Sequence, residues 1–96
     1  MEEKLKKIID YYGINNQQRK LQEEVFELQE AITELDMAEK DVNLFDIEHF
    51  KSNIEEELAD VFVVLNQLAI YYKIDEDKLY NIMEYKINRT LNRMED

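Results

Sequence analysis

The sequence lacks several residue types, and each absence excludes a class of protein. Its 96 residues contain no cysteine, so neither a disulfide framework nor a thiolate metal site is available. A single histidine leaves oxygen as the donor for any bound metal, which favours magnesium, manganese or calcium over zinc. There is no proline and only one glycine, so the composition favours helices and predicts one all-α domain over residues 1–96.

Positive charge is also scarce. Twelve basic residues stand against 23 acidic ones, which gives a formal net charge of −11. This excess argues against nucleic acid or an anionic membrane as a partner, although a nucleotide that arrives with its own metal remains compatible. The chain has no apolar run of about 18 residues, and its first ten residues lack the apolar core of a signal sequence. We therefore expect a soluble, cytoplasmic protein.

Apolar residues recur at three- and four-residue spacing in the first half of the chain and predict two helices there. The first covers residues 2–12 and ends at Gly13, since glycine adopts the left-handed C-terminal conformation at little cost. The second covers residues 16–37, with Asn15 as the N-cap and Gln18 as the returning arm of a capping box.

The second half predicts two more helices after an irregular connection. Residues 38–51 lose the helical period and are predicted to form a long link between helices, with a helical turn at residues 46–50. Ser52 then has the position of an N-cap for a third helix over residues 53–72. This helix is apolar on nearly all sides around residues 58–65, so it is expected to be buried there. Asp75 is predicted to cap the fourth helix.

Two pairs of carboxylates occupy the second and third helices. Glu24 and Glu27 lie side by side on one face of a helix, and Glu57 and Asp60 do so on the other. If the two helices pack antiparallel, the pairs face each other, and a hard divalent cation would convert their repulsion into coordination. Two alternatives remain open at this point: the acids are solvated, or Asp60 forms a bridge with a cation such as Arg89.

This pattern, Glu-Glu-x-x-Glu followed by a spacer and Glu-x-x-Asp, resembles the MazG-like all-α nucleoside triphosphate pyrophosphohydrolases. The similarity includes the segments LQEEVFELQEAI, EEELADVFVVLNQLA and YKINRTLNRM, and covers roughly residues 14–94. It implies a four-helix bundle-like fold with antiparallel helices that assembles as a dimer or a dimer of dimers.

The resemblance also implies a reaction and a set of residues. Water would attack the α-phosphorus of a nucleoside triphosphate in the presence of Mg²⁺, or of Mn²⁺ in its place, and would release pyrophosphate and the monophosphate. The implied metal-binding and catalytic residues are Glu24, Glu27, Glu57 and Asp60, and the implied phosphate-binding residues are Lys86 and Arg89. Phe26 stands where the family commonly has glycine, and the spacer after Glu27 is long, which leaves the choice of substrate open.

Three further polar residues share the helix faces of the carboxylates. Lys20, Gln17 and Gln67 are candidates for contacts with the nucleotide. Lys20 has the alternative of an ion pair with Glu24 one turn away, and the two glutamines have the alternative of a solvated or supporting role.

Two other functions compete with this hypothesis. Phosphoribosyl-ATP pyrophosphohydrolase shares the acidic pattern, but the sequence VFVVLNQL after Asp60 does not resemble the aromatic-histidine stretch of that enzyme. A non-catalytic helical module would use the same apolar faces to dimerise or to hold a partner.

Overall fold

The computed structural model describes residues 1–40 and 44–95, and it describes side chains outside residues 41–46. Four helices follow one another along the chain: α1 (Glu2–Tyr12), α2 (Ile14–Lys40), α3 (Leu44–Tyr71) and α4 (Glu76–Met94). The described residues form no strand. The predicted all-α architecture with four helices is therefore confirmed.

The only glycine forms the junction between α1 and α2. Gly13 has a φ of 86° and a ψ of 149°. Its amide donates to the carbonyl of Ile9 at 2.8 Å, and its carbonyl accepts from the amide of Gln17 at 3.2 Å. Gly13 thus ends α1, as predicted, and also begins α2, so the prediction of Asn15 as an N-cap is wrong.

The prediction of a long connection over residues 38–51 is also wrong. Helix α2 continues to Lys40 and α3 begins at Leu44, so only residues 41–43 of that segment lie outside the described helices. Ile47, Phe50 and Ile54 are half-buried at helical spacing, which extends the apolar stripe of α3 backwards by two turns. Ser52 consequently lies inside the helix and does not cap it.

The turn between α3 and α4 is a Schellman motif. The amide of Ile74 donates to the carbonyl of Ala69 at 2.9 Å, and that of Lys73 to the carbonyl of Ile70 at 3.1 Å. Lys73 takes the left-handed conformation, with a φ of 56°. Asp75 then caps α4, as predicted, because its carboxylate accepts from the amides of Asp77 and Lys78.

Helices α2 and α3 form the central antiparallel pair, and α1 packs against both of them. The face that α2 buries carries the polar and small side chains, while its predicted apolar stripe stays half-exposed or exposed. The buried residues of the two helices are Gln17, Glu24, Ala31 and Ala38 on α2, and Val61, Val64 and Gln67 on α3. The prediction that α3 is buried on all sides around residues 58–65 is therefore wrong for the single chain, where Phe62 remains 58% exposed.

Helix α4 extends away from the other three helices. All of its residues belong to the described part of the chain, and all of them are exposed. Its apolar side chains, such as Leu79, Ile87 and Leu91, therefore have no core within the chain. No helix in the described residues is long and apolar enough to cross a membrane.

Candidate metal centre

Four carboxylates meet between α2 and α3 because equal steps along the two antiparallel helices stay opposite each other. Gln17 of α2 lies opposite Gln67 of α3, and their side chains are hydrogen-bonded. Seven residues onward along α2 is Glu24, and seven residues back along α3 is Asp60. Since seven residues are nearly two full turns, both acids return to the faces that the glutamines occupy.

Three of the four acids form a tight cluster. One carboxylate oxygen each from Glu24, Glu57 and Asp60 lies within 4.8 Å of the other two. Glu24 is buried, Glu57 is half-buried and Asp60 is exposed. Glu27 and Glu57 line one groove between α2 and α3, but Glu27 is outside this cluster. The structure thus assembles three of the predicted ligands and places the fourth next to them.

Two buried oxygens in the cluster lack a donor. Oε2 of Glu24 and Oε2 of Glu57 have no hydrogen-bond partner among the described residues. A buried carboxylate oxygen without a donor is costly, and close like charges increase that cost. Three carboxylates at this spacing, one of them open to solvent, suit a hard divalent cation with oxygen ligands, so the residues present fit the metal that the sequence implies.

Burial and the neighbouring negative charges also raise the pKa values of Glu57 and Glu24. Burial raises the pKa of Glu57 to about 7, and the charge of Glu27, followed by those of Glu24 and Asp60, adds to the rise. Burial also raises the pKa of Glu24, with the charges of Asp60 and Glu27 as further causes. In the absence of a cation, folding therefore favours protonated carboxyl groups at this site.

One cation lies close to the cluster within the chain. Nζ of Lys20 is 3.7 Å from Oε1 of Glu24, which is the one ion pair found among the side chains of residues 1–40 and 47–95. Lys20 lowers the pKa of Glu24, although burial and the neighbouring acids outweigh it. The alternative in which Arg89 bridges Asp60 does not occur; Arg89 lies instead over the ring of Tyr85, 5.9 Å from its centroid.

The predicted nucleotide-binding residues are in two different situations. Gln17 and Gln67 are 3% and 1% exposed and bonded to each other, so neither reaches an open surface of the single chain. Lys86 and Arg89 are exposed on α4, which does not pack along α2 or α3. Within one chain the structure does not bring these two cations to the carboxylates.

A polar groove lies beside the cluster and was not predicted from the sequence. This groove has a volume of about 310 Å³ and continues from the carboxylates towards the end of α2. Its lining residues are Glu27, Glu30, Ala31, Glu34, Asn53, Glu56 and Glu57. The three- and four-residue spacing of Glu27, Glu30 and Glu34 was a usable signal, but Asn53 was assigned to the start of a helix that in fact begins nine residues earlier.

Comparison with known proteins agrees with this geometry. Residues 14–95 match the model of the MazG nucleotide pyrophosphohydrolase domain. The chain belongs to the MazG family. No curated protein and no solved structure matches it significantly. The MazG match begins at α2 and includes both acidic helices and α4, while α1 precedes it.

Proposed function

We propose that this MazG protein is a nucleotide pyrophosphohydrolase that cleaves a nucleoside or deoxynucleoside triphosphate at the α-phosphorus. The products are the monophosphate and pyrophosphate, a reaction that removes unwanted triphosphates from the nucleotide pool. The observation that carries the proposal is the group of three carboxylate oxygens within 4.8 Å of one another on α2 and α3. Two of these residues, Glu24 and Glu57, keep an oxygen buried without a donor in the described structure.

Glu24, Glu57 and Asp60 would hold Mg²⁺, or Mn²⁺ in its place, with Glu27 beside them. When bound, such a cation neutralises charge on phosphate oxygens and lowers the pKa of a water molecule. The attacking water forms a bond to the α-phosphorus, the bond from that phosphorus to the bridging oxygen breaks, and pyrophosphate leaves with the electron pair. Glu27, which lines the groove beside the tight cluster, would complete the set of metal ligands or accept the proton of the water.

The same proposal includes a second copy of the chain. The accessible surface is 8218 Å², whereas a monomeric protein of 11.7 kDa exposes about 5,900 Å². The excess of about 2,300 Å² per chain is of the size that obligate dimers bury. The exposed apolar residues of α3 and α4 that would fill the interface include Phe62, Leu65, Leu79, Met83, Ile87 and Leu91.

Assembly would also complete the site. Lys86 and Arg89 follow each other by three residues on α4 and face the solvent of the single chain. A dimer or dimer of dimers in which α4 packs across the α2–α3 pair of another copy would bring these cations towards bound phosphates. An anionic substrate would otherwise meet a site that is strongly acidic.

The decisive experiment measures products. The protein is incubated with a panel of nucleoside and deoxynucleoside triphosphates and Mg²⁺, and pyrophosphate and orthophosphate are quantified separately. We expect pyrophosphate in equal amount to the monophosphate. Release of orthophosphate alone would contradict attack at the α-phosphorus. Lack of turnover, together with no rise in melting temperature on adding Mg²⁺, would favour a non-catalytic helical module.

Asp60→Asn connects that activity to the carboxylate cluster. We expect the variant to lose activity and the Mg²⁺-induced rise in melting temperature, while the metal-free protein melts at the same or a higher temperature because one repelling charge is gone. Glu23→Gln is the matched control, since it removes one negative charge from an exposed neighbouring position on α2. Retained activity in Asp60→Asn with a large loss of stability would show a structural role instead.

A further inference from the structure

The most deeply buried polar contact among the described side chains lies two turns away from the carboxylates and has no part in the chemistry described above. The side-chain amide of Gln17 donates to the side-chain oxygen of Gln67. Gln67 and Val64 are the two side chains with the least exposure among the described residues. A buried, uncharged and directional contact therefore lies near one end of the interface between α2 and α3, close to the start of α2 and the end of α3.

Aliphatic contacts alone would not select one alignment of these helices. Apolar burial is non-directional. The buried or half-buried aliphatic side chains of the two helices include Leu21, Leu28, Val61, Val64 and Leu68. If one helix slid past the other by a single turn of about 5.4 Å, leucine and valine would still meet leucine and valine. Glu24 would then no longer lie opposite Asp60, and the cluster would be dispersed.

The carboxylates themselves oppose the alignment that brings them together. Their charges repel in the absence of a cation, and among the described residues only Lys20 forms an ion pair with any of them. Another contact must therefore hold the two helices in register before a metal binds. Buried amide side chains are known to fix the register of paired helices in this way, since a slipped alignment leaves them without a partner.

We propose that Gln17 and Gln67 are positioning residues, whose hydrogen bond fixes the register in which the carboxylates of α2 and α3 face one another. The role in metal binding rests on the proposed function, whereas the register itself does not. Gln17 precedes Glu24 by the same seven residues by which Gln67 follows Asp60, so the register that satisfies the two amides also sets the acids opposite each other.

The first test is the double variant Q17M/Q67M, because methionine has nearly the length and shape of glutamine but cannot form the bond. We expect a melting temperature within about 5 °C of the parent, since removing both partners leaves no orphaned amide. The Mn²⁺ or Mg²⁺ concentration that gives half of the metal-induced thermal shift should rise at least tenfold. Single Q67M should melt lower than the double variant, because Gln17 is left buried without its partner.

The matched control is Q22M/N66M, which replaces two exposed amides on the same helices that form no bond between α2 and α3 among the described side chains: Asn66 donates only to the carbonyl of Phe62 within α3. It should leave the half-saturating metal concentration unchanged. If Q17M/Q67M does not unfold cooperatively, Q17L/Q67L is measured in its place. A double variant that keeps both the parental melting temperature and the parental metal response overturns the proposal.

The second test reads the register directly and needs no metal. The chain has no cysteine, so an introduced pair of cysteines can form a disulfide only with each other within one chain, and that disulfide shows which residues lie opposite. Ala31 and Asn53 line the same groove in the native register, and A31C/N53C should form a disulfide. A31C/H49C, which is displaced by four residues along α3, should not. In the Q17M/Q67M background we expect the displaced disulfide to appear at a level comparable with the native one.

The two tests separate the register from the function. If the parent shows no thermal shift with either metal, the proposed function fails, and the disulfide pattern still decides whether the glutamines set the register. A native-only disulfide pattern in the Q17M/Q67M background overturns the proposal. So does a displaced disulfide with unchanged metal affinity, because the glutamines would then not position the acids.

Discussion

Glu24 and Glu57 show how individual residues combine burial with unneutralised charge. Glu24 is only 8% exposed, yet its Oε2 has no donor among the described residues, and the same holds for Oε2 of Glu57. Globular proteins rarely leave buried polar atoms without partners, and such atoms commonly mark functional sites. The two oxygens therefore distinguish this cluster from the many exposed glutamates of the chain.

The raised pKa values predict how the stability of the metal-free protein depends on pH. The pKa of Glu57 is about 7 in the folded chain and 4.5 without its environment, and that of Glu24 is also raised. Between pH 4.5 and about 7 the folded state thus binds more protons than the unfolded state, so stability falls as pH rises. We expect the melting temperature in EDTA to be lower at pH 8 than at pH 5.5.

A variant and an added metal both test this pH dependence of the melting temperature. Glu57→Gln should flatten the pH dependence, because it removes the group with the raised pKa. Saturating Mg²⁺ should reverse the trend, since deprotonated carboxylates bind the cation and stabilise the fold. A melting temperature in EDTA that rises between pH 5.5 and 8 would contradict the assignment.

At the residue scale, the sequence predicted which carboxylates lie together but not the polar contacts around them. Helical spacing alone placed Glu24 with Glu27 and Glu57 with Asp60, and the structure brings three of the four within 4.8 Å. The bond between Gln17 and Gln67 was not predictable, because it depends on how two separate helices align. The sequence-based expectation that these glutamines contact a nucleotide remains a prediction, and their burial favours a positioning role.

Among the structural elements, the junctions follow local backbone rules that the sequence partly shows. Gly13 and Asp75 were predictable, since each matches a known preference at a helix end. The start of α3 was not predictable from such a preference. The capping pattern at Ser52 indicates a later start, whereas the helix follows a longer apolar stripe that packs against other parts of the chain and begins at Leu44. The boundaries that were predicted wrongly are the start of α2 and the connection between α2 and α3.

Gly13→Ala tests the α1–α2 junction. A φ of 86° with a ψ of 149° is accessible almost only to glycine. An added Cβ would meet no atom within 4 Å, so the cost arises from the backbone alone. We expect the free energy of unfolding to fall by about 1–3 kcal/mol, measured by urea denaturation with an unchanged m-value.

Lys73→Gly is the counterpart at the α3–α4 junction and should act in the opposite direction. Lys73 is the one non-glycine residue with positive φ in the described chain, at 56°. Glycine takes this position in a Schellman motif without the steric cost of a Cβ, so we expect a gain of about 0.5–1 kcal/mol. A loss of stability would show that the lysine side chain makes a compensating contact.

On the scale of the whole molecule, a single chain leaves two apolar faces uncovered. Its periodicity correctly predicted amphipathic helices, but periodicity does not say which partner covers an apolar face. Leu58, Leu65 and Phe62 of α3 were expected inside the chain and lie exposed on its surface. Because α4 buries none of its residues, its apolar side chains present a second uncovered face. Uncovered faces of this kind are consistent with an accessible surface larger than that of a compact monomer of the same mass.

Leu91→Asp tests whether α4 is covered by a second copy. Leu91 is half-exposed on the apolar side of α4, and a charge there would be buried without a partner in the proposed interface. We expect light scattering to give two or four times the chain mass of 11.7 kDa for the parent and the single-chain mass for Leu91→Asp. Pyrophosphate release should be lost in parallel, because Lys86 and Arg89 would no longer be held over another copy's carboxylates. Asn92→Asp adds the same charge one residue along α4 and should keep both the assembly and the activity. A parent that runs at the mass of one chain, or an active monomeric Leu91→Asp, would refute completion of the site by a second copy.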